Sequence, residues 1–466
     1  MFIGRESELT DINRLYDQNK FHLFVLYGRR RVGKTTFLTE FCKEKDSIFF
    51  SAEQSNEKMN LDKFSELIFQ HYQENTLEPF TSWENALLYI HRRQTEMPLV
   101  LVFDEFPYLA AMNPALLSIL QHLIDHTLQN GKLFLVLCGS YVGFMEDQVL
   151  SSKSPLYGRR TAQLHMKSFD YHTSIQFLNG FSDEEKLILY GACGGIALYL
   201  QQVDHNYTMQ ENIQNLFLSP TGYLYEEPLL LLRQEVKEPG IYNAIIEAIA
   251  GGASKANEIA TKTGESSAKC IKYMLTLQEL GILEKRTPFG MKSASRKTVY
   301  RISDFMFRFW YRYVAGNKTL LETGARKIVW EKKIAPDLNH YMGLVFEQIC
   351  KEYLLRKNTL GCLPLLFTEI GTWWGNDPEH HTQEEIDLVA GDGSDYLFCE
   401  CKWNQQPLDI PILTKLRYRA DLVNRNRQNT WFVLFSKSGF TQPVEKEAAS
   451  DGHVILVSLK DILAIK

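Results

Sequence analysis

Several features that would restrict the function of this 466-residue chain are missing from its sequence. Its eight cysteines include no CxxC pair, so neither a zinc ribbon nor a disulfide framework is indicated, and reduced thiols are expected. The histidine pairs His122/His126 and His380/His381 have no zinc-type cluster of cysteines or carboxylates beside them. A net charge of −5 excludes a globally basic nucleic-acid binder but leaves local basic patches open.

Long hydrophobic runs are also missing. No stretch of 18 apolar residues occurs, and the N-terminus MFIGRESEL does not have the pattern of a signal peptide. We therefore expect a soluble, cytoplasmic protein that has no membrane partner. The length suggests about three domains, and 45% hydrophobic with 23% charged residues is an ordinary globular composition.

The clearest motif that is present lies near the N-terminus. In FHLFVLYGRRRVGKTTFLTEFC, an apolar strand is followed by a loop between two glycines and then by an amphipathic helix. The loop fits GxxxxGK[ST] in the context that this motif requires, and its backbone N–H groups can surround phosphates at a helix N-terminus. Lys34 is expected to reach the β- and γ-phosphates, and Thr35 to bind Mg²⁺. The nucleotide-binding residues predicted in this loop are Gly28, Arg31, Val32, Gly33, Lys34, Thr35 and Thr36.

Polar side chains end two further predicted strands. PLVLVFDEFPYL is an apolar run ending in Asp104 and Glu105, at the edge where parallel sheets bind ligands. Asp104 is expected to hold Mg²⁺, directly or through water, and Glu105 to polarise the attacking water. KLFLVLCGSYVGFM ends at Ser140, which is placed either to contact the γ-phosphate or water, or simply to end the strand.

Two arginines in SPLYGRRTAQL, Arg159 and Arg160, are candidates to bring a guanidinium to the phosphates. Either could act in cis or from a neighbouring subunit, which would require a homo-oligomer. The alternative is a structural role at the surface.

Taken in order, FIGRESEL, GRRRVGKTTFL, FDEFPYL, CGSYVGFM and SPLYGRR resemble the archaeal-type ATPase family, which belongs to the AAA+-related signal-transduction ATPases with numerous domains. The resemblance covers Phe2 to Leu200. It implies an ATPase core at residues 1–165, a helical lid at 166–236, ATP with Mg²⁺, and a box of Gly4, Arg5 and Glu6 near the adenine. GGIALYL resembles the family's Gly-Gly-x-Pro-x-x-Leu sensor region, with Ala197 in place of the proline.

The pattern changes to short helices at residues 237–315. Three amphipathic segments precede two strand-like segments, LEKRTPFG and SRKTVYRISD, and this order is typical of a winged helix-turn-helix. Basic residues crowd the hairpin against one acid, Glu284: Lys285, Arg286, Lys292, Arg296, Lys297 and Arg301. The charge favours contact with DNA phosphates and weak sequence specificity, whereas an interdomain or protein-binding module is the alternative. The aromatics of ISDFMFRFWYRYV recur at helical spacing and are expected in the core, before a helical linker at 316–336.

The last segment, residues 337–466, carries charges on a predicted core hairpin. QEEIDLVAGDGSDYLFCECKW places Asp387 on one strand and Glu400 and Lys402 on the next. In an antiparallel pair the two carboxylates share a face, where they would bind Mg²⁺ or Mn²⁺, while Lys402 and the metal activate water and stabilise a phosphate. Glu347, on the preceding helix, would complete the cluster.

This arrangement resembles the PD-(D/E)xK nuclease superfamily, and especially the domain often fused to archaeal-type ATPases. The resemblance implies that Asp387, Glu400 and Glu347 bind metal and that Lys402 is catalytic, with Ile386 where a proline often stands. In the alternative, Glu400 and Lys402 form a buried ion pair in a degenerate scaffold. A basic helix follows that could lie along DNA or be merely solvated; its cations are Lys415, Arg417, Arg419, Arg425 and Arg427.

The sequence thus predicts an α/β multidomain protein: an AAA+-like P-loop NTPase with a helical lid, a winged helix-turn-helix, and a C-terminal α/β restriction-endonuclease-like domain. The first functional hypothesis is an ATP-driven DNA-processing enzyme in which ATP gates a metal-dependent nuclease. The second is a regulatory ATPase switch that binds DNA or a protein without cutting. Coupling to transport or secretion is a third, which no membrane-directed segment supports.

Overall fold

The structure is a computed structural model that describes residues 2–74, 78–93, 95–291, 297–423 and 427–464. The chain divides into two compact units, Met1–Ser168 with Ile196–Leu198, and Phe169–Gly195 with Tyr199–Lys466. The finer domain limits expected from the sequence stay predictions. Among the helices of the described ranges, none has the length and apolarity needed to cross a membrane.

A five-stranded parallel sheet forms the centre of the first unit, in the order β2-β3-β4-β1-β5. Its strands are β1 (His22–Tyr27), β2 (Ser47–Ser51), β3 (Val100–Asp104), β4 (Phe134–Gly139) and β5 (Ala162–His165). Every residue of β1, β3 and β4 is buried, as expected for parallel strands covered on both faces. The parallel sheet confirms the predicted α/β core.

Seven helices pack around this sheet within the described part of the unit. They are α1 (Glu6–Tyr16), α2 (Lys34–Cys42), α3 (Glu57–His71), α4 (Trp83–Arg92), α5 (Phe106–Met112), α6 (Leu116–His126) and α7 (Val142–Phe144), with a 3-10 turn at Leu128–Asn130 and a π-helix at Met145–Leu150. Side-chain caps from Asn56 and Ser82 fix the starts of α3 and α4. Between them, the Phe64 ring lies 5.4 Å from Trp83 and 5.2 Å from Phe103, which anchors both helices to β3.

The second unit begins with helices and a short hairpin. The helices are α8 (Tyr171–Ser174), α9 (Asp183–Cys193), α10 (Ala197–Leu200, which spans the unit boundary), α11 (Met209–Phe217), α12 (Glu227–Glu235), α13 (Pro239–Ala250), α14 (Ala256–Thr263) and α15 (Ser267–Glu279), with a 3-10 turn at Ile175–Phe177. β6 (Leu283–Arg286) and β7 (Val299–Ile302) pair antiparallel. Gly264, at φ 73°, ends α14, and the Ser266 side chain caps α15.

An aromatic helix, α16 (Phe305–Tyr313), follows the hairpin. Seven of its nine residues are buried, so the aromatics belong to the core, as the helical spacing predicts. A 3-10 turn (Ala315–Asn317), α17 (Lys318–Glu322), α18 (Arg326–Val329) and a π-helix (Trp330–Ile334) then lead to the last segment.

A second five-stranded sheet, in the order β12-β11-β10-β9-β8, forms the C-terminal part. Its elements are α19 (Leu338–Thr359), β8 (Glu369–Asp377), β9 (Thr382–Gly391), β10 (Tyr396–Lys402), α20 (Ile410–Val423), β11 (Thr430–Ser436), α21 (Gln442–Ser450), β12 (Val454–Ser458) and α22 (Leu459–Leu463). β8, β9 and β10 are antiparallel, whereas β10, β11 and β12 are parallel. The expected β9–β10 hairpin is therefore present.

Candidate functional site

The loop between β1 and α2 has the backbone that phosphate binding requires. Gly33, at φ 97°, precedes the first turn of α2. At Gly28 a Cβ atom would lie 2.3 Å from the Met166 carbonyl oxygen, so only glycine fits there. The ammonium group of Lys34 is buried and donates to the carbonyls of Gly28 (2.7 Å) and Arg29 (3.0 Å). The lysine is thus held inside the loop that would surround the phosphates.

The expected Mg²⁺ residues meet at the carboxyl edge of the sheet. The Thr35 hydroxyl donates to Asp104 Oδ2 at 2.9 Å, and Asp104 Oδ1 accepts the backbone N–H of Glu105 at 3.0 Å. Asp104 is buried at the end of β3. Hydroxyl and carboxylate oxygens are the ligands that Mg²⁺ prefers, so this donor pair fits the ion that a P-loop nucleotide brings.

Glu105 and Ser140 also meet at this edge, because β3 and β4 are neighbours. The Ser140 hydroxyl lies 2.9 Å and 2.7 Å from the two carboxylate oxygens of Glu105. Glu105 has a left-handed backbone, φ 53°, which is unusual for a residue other than glycine. This backbone and the hydroxyl together fix the direction of the carboxylate.

The remaining predicted nucleotide residues surround this centre. Arg31 has a left-handed backbone at φ 72°, Val32 is buried, and Thr36 is exposed on α2. Gly4 and Arg5 have positive φ values of 71° and 69° just before α1. The Arg5 guanidinium binds Glu8 at 3.0 Å and the Lys167 carbonyl. Their part in binding adenine stays a prediction.

The two candidate arginines have different surroundings. Arg159 forms a two-pronged pair with Asp125, at 2.7 Å and 2.6 Å, and this hydrogen bonding lowers the pKa of Asp125. Arg160 donates to the Leu150 carbonyl at 3.0 Å. Within the described part of the chain, neither has Glu105 among its partners. For both arginines, bringing the guanidinium to the phosphates remains a prediction. Arg160 would lose fewer hydrogen bonds than Arg159 in doing so.

In the second unit, the β9–β10 hairpin brings three predicted residues together. The Lys402 ammonium lies 2.6 Å from Glu400 and 3.4 Å from Asp387. Asp387 also accepts the backbone N–H of Cys401 at 2.8 Å. Burial and the charge of Asp387 raise the pKa of Glu400, against the opposing effect of Lys402. Two carboxylates therefore share one cation at the end of β10.

Sequence reasoning missed a second cation at these carboxylates. Arg419, on α20, donates to Glu384 at 2.6 Å and to Glu400 at 3.2 Å. Lys415 lies one turn earlier on the same helix face, 3.7 Å from Glu384. The i,i+4 spacing of two cations on α20 was the available signal, although the sequence did not show which strand they face.

The fourth predicted residue, Glu347, contacts a different group. Its carboxylate on α19 lies 3.7 Å from Arg301 of β7. Burial, reinforced by the charge of Asp387, raises the pKa of Glu347 to about 7. Across the described ranges, no group of three or more His, Cys, Asp or Glu side chains is arranged to hold a metal ion. The oxygen chemistry of Asp387 and Glu400 fits a hard cation, while the metal role of Glu347 stays a prediction.

Two of the cations expected on a DNA-binding hairpin have partners within the second unit. Arg286 and Arg301 both contact Glu284, which lies opposite Arg301 in the strand register. Arg286 also donates to the Thr372 hydroxyl of β8. Lys285 is exposed. Lys292 and Arg296 lie outside the described residues.

On α20, Arg417 pairs with Glu447 (2.9 Å) and Asp451 (2.7 Å). Beyond that helix, Arg427 pairs with Asp421 at 2.5 Å, and Arg425 lies outside the described residues. A nucleic-acid phosphate would therefore have to replace carboxylates of this chain along much of the predicted basic surface.

Comparison with known proteins matches two separate parts of the chain to families. Residues 2–203 match a family described as an ATPase domain predominantly from Archaea. Residues 310–415 match a family of archaeal and bacterial proteins of unknown function. The second match includes Glu347, Asp387, Glu400 and Lys402.

Two relatives come from Methanocaldococcus jannaschii. An uncharacterized protein is 31% identical over 466 residues, covering 99% of this chain and 100% of the relative. An uncharacterized ATP-binding protein is 47% identical over 45 residues, 10% of this chain and 76% of that protein. A solved structure, a Walker-type ATPase of Pyrococcus abyssi, is 21% identical with a TM-score of 0.50, covering 67% of this chain and 96% of that one. This likeness shows the P-loop ATPase fold.

Proposed function

This chain belongs to the same family as the Methanocaldococcus jannaschii protein that it matches over 99% of its length, and its residues 2–203 match the archaeal ATPase domain. We propose that it couples ATP binding and hydrolysis to the binding and metal-dependent cleavage of DNA. The family and the P-loop fold support the ATPase part directly. The DNA part rests on side chains of the second unit.

At the nucleotide site, the chain's own groups divide the work. Lys34 exchanges its two loop carbonyls for phosphate oxygens, which carry full negative charge and bind an ammonium more strongly. Thr35 and Asp104 would hold Mg²⁺, which neutralises charge on the phosphates when bound. Glu105, oriented by Ser140, accepts a hydrogen bond from the attacking water.

The observation that carries the nuclease proposal is the Lys402 ammonium between Asp387 and Glu400. Buried ion pairs contribute little net stability, so the support for a nuclease comes from the chemistry of the three groups and not from their pairing. The two carboxylates would hold Mg²⁺, or Mn²⁺ in its place, which polarises a phosphate and activates water. Lys402 then stabilises the negative charge that develops on the phosphate in the transition state.

The proposal assigns DNA binding to residues 237–315 as a winged helix-turn-helix and cleavage to residues 337–466 as a PD-(D/E)xK-like domain. It keeps residues 1–165 as the ATPase core, 166–236 as the lid and 316–336 as a linker. Three helices followed by an antiparallel hairpin support the winged-helix assignment. A helix followed by a sheet with Asp387 and Glu400 on adjacent strands supports the nuclease-like assignment.

The direct test is cleavage of supercoiled plasmid with Mg²⁺ or Mn²⁺ by the full chain and by Lys402→Ala, Lys402→Arg and Asp387→Ala. Cleavage should fall at least about 100-fold in both alanine variants, as for loss of one transition-state charge partner. Lys402→Arg should keep part of it. Equal cutting by wild type and Asp387→Ala would exclude this site as the nuclease.

A second candidate function is a regulatory ATPase that binds DNA or a protein without cutting. The pairing of Glu400 with both Lys402 and Arg419 favours it, because the carboxylates are already neutralised. Calorimetric titration with Mg²⁺ separates the two functions. Binding that Asp387→Ala abolishes supports the nuclease, whereas absence of binding in wild type supports the switch.

A further inference from the structure

A group of cations lies beside the carboxylate site, and two of them form no ion pair within the described part of the chain. Arg286 and Arg301 come from the β6–β7 hairpin, Arg308 from α16 and Lys351 from α19. We refer to these four side chains as the basic cluster. All four residues are partly exposed at the surface.

Lys351 is the clearest of these cations. It lies one helical turn after Glu347 on α19 and therefore on the same face, towards Arg301. Among the residues that the structure describes, its ammonium group has neither a hydrogen bond nor an ion pair. Burial lowers the pKa of Lys351, and the guanidinium groups of Arg286 and Arg301 act in the same direction, against Glu284.

Arg308 carries a second unsatisfied group. Its Nε and Nη2 atoms donate to the Ile302 carbonyl at the end of β7. Its Nη1 atom is buried and has no hydrogen-bond partner among the described residues. A buried guanidinium nitrogen without an acceptor is costly, and an anion at this position would supply the acceptor.

The ion pairs of the cluster involve only two of its cations among the described residues. Glu284 binds Arg301 and lies 3.9 Å from Arg286. Glu347 adds a contact of 3.7 Å to Arg301, while Glu385 and Glu352 act on Arg286 and Lys351 without an ion pair. Lys351 and Arg308 are therefore the cations that suit a ligand with negative charge.

We propose that the basic cluster binds a phosphate group next to the carboxylate site, and that a nucleic-acid strand supplies it. Lys351 and Arg308 Nη1 are the first contacts, because neither loses an existing partner. Arg301 then exchanges Glu347 for the phosphate, which frees Glu347 to face Asp387 and Glu400. This inference rests on the proposed function, since it names the group that holds the strand beside the site of cleavage.

The test is the affinity of the full chain for fluorescent single-stranded and duplex oligonucleotides, measured by anisotropy in EDTA so that no cleavage occurs. The variants are Lys351→Gln, Lys351→Arg and Lys460→Gln, the last removing an exposed cation of α22 that has no part in the proposed DNA surface. Lys351→Gln should weaken binding about tenfold and reduce the slope of log K against log salt by about one, as for one lost phosphate contact. Lys351→Arg should restore the affinity, and Lys460→Gln should change the affinity less than about twofold.

Unchanged binding in Lys351→Gln would overturn the inference, as would equal losses in Lys351→Gln and Lys460→Gln. Calorimetry with inorganic phosphate distinguishes the source of the ligand. If Lys351→Gln abolishes phosphate binding but leaves DNA binding intact, free phosphate is the ligand and the strand is excluded.

The two proposals fail separately. DNA binding that depends on Lys351, in a protein that never cuts, would keep the phosphate site and remove the nuclease. DNA cleavage that does not change when Lys351 is substituted would keep the nuclease and remove the phosphate site.

Discussion

The two candidate sites hold their carboxylates in different ways. In the first unit, Asp104 and Glu105 accept hydrogen bonds from the neutral hydroxyls of Thr35 and Ser140. In the second unit, Glu400 is held by the charged groups of Lys402 and Arg419. Asp104 and Glu400 are both buried, so the difference does not come from their exposure.

The difference teaches what each site requires of its ligand. A hydroxyl leaves the negative charge of a carboxylate available, so a nucleotide-bound cation can join Asp104 without displacing a competitor. A cation must compete with Lys402 and Arg419 at Glu400, and it gains only the difference between two strong interactions. We infer that the second site depends more strongly on a negatively charged substrate, because such a substrate would draw Lys402 and Arg419 away from Glu400.

The largest effect should come from removing the loop lysine of the first site. Lys34→Ala should lower ATP hydrolysis at least about 100-fold, because it removes the ammonium group that the loop holds for the phosphates. Phosphate release under saturating ATP measures it. Lys43→Ala, at the exposed end of the same helix, is the control and should keep wild-type turnover. Comparable losses in both variants would contradict the assignment.

Removing the central cation of the second site should lower stability. Lys402→Ala leaves Glu400 and Asp387 facing each other with less compensation, which should cost about 3 kcal/mol without divalent cations. Because a bound cation replaces the lost charge, Mg²⁺ should recover part of the loss. Thermal unfolding with and without Mg²⁺ measures this, and Lys415→Ala, at a half-exposed cation, should change little. A Lys402→Ala protein as stable as wild type would show that the carboxylates do not interact strongly.

A buried carboxylate that forms no ion pair within the described ranges sharpens the comparison. Glu352 accepts from the Tyr171 backbone (2.9 Å), Gln348 (3.1 Å) and the Tyr190 hydroxyl (3.3 Å), and burial raises its pKa to about 7 from the usual 4.5. The folded state therefore binds the proton more tightly than the unfolded chain does, and this stabilisation is lost as the pH rises towards 7.

Glu352→Gln should remove this pH dependence and make the protein more stable than wild type above pH 7, by roughly 1 to 2 kcal/mol. Thermal unfolding from pH 5 to 8 measures it, with Glu331→Gln as an exposed control on the π-helix. A wild-type profile that is flat over this range would contradict the raised pKa.

The smallest effect should follow from Ser140→Ala. Without the hydroxyl, Glu105 keeps its charge and position in the chain but loses its orienting partner, so kcat should fall about tenfold with little change in KM. Exposed Ser118 on α6 is the matched control. An unchanged kcat would reduce Ser140 to a strand-ending residue.

The first site could be predicted from the sequence because its parts are local. A strand, a loop with glycines at fixed positions and a helix define the phosphate site, and polar residues at the ends of β3 and β4 meet once those strands are neighbours. In the second site, the β9–β10 hairpin brought Asp387 to Glu400 and Lys402 for the same reason.

Pairings between distant elements could not be predicted. Arg301 contacts Glu347 on a helix 46 positions later, and Arg159 contacts Asp125 34 positions earlier. A basic residue counted as a DNA contact from its charge alone can equally serve an acid of the same chain. The sequence shows that a side chain is charged, but it does not show which group that side chain contacts.

The central claim is that one chain joins the two activities, and the most direct measurement follows both in parallel. Plasmid cleavage and ATP hydrolysis would be measured with Mg²⁺ for wild type, Lys34→Ala and Lys402→Ala. We predict that Lys402→Ala hydrolyses ATP but does not cut, and that Lys34→Ala loses hydrolysis and every effect of ATP on cutting. Cutting by Lys402→Ala at the wild-type rate, or wild-type cutting that ATP does not change, would contradict the account.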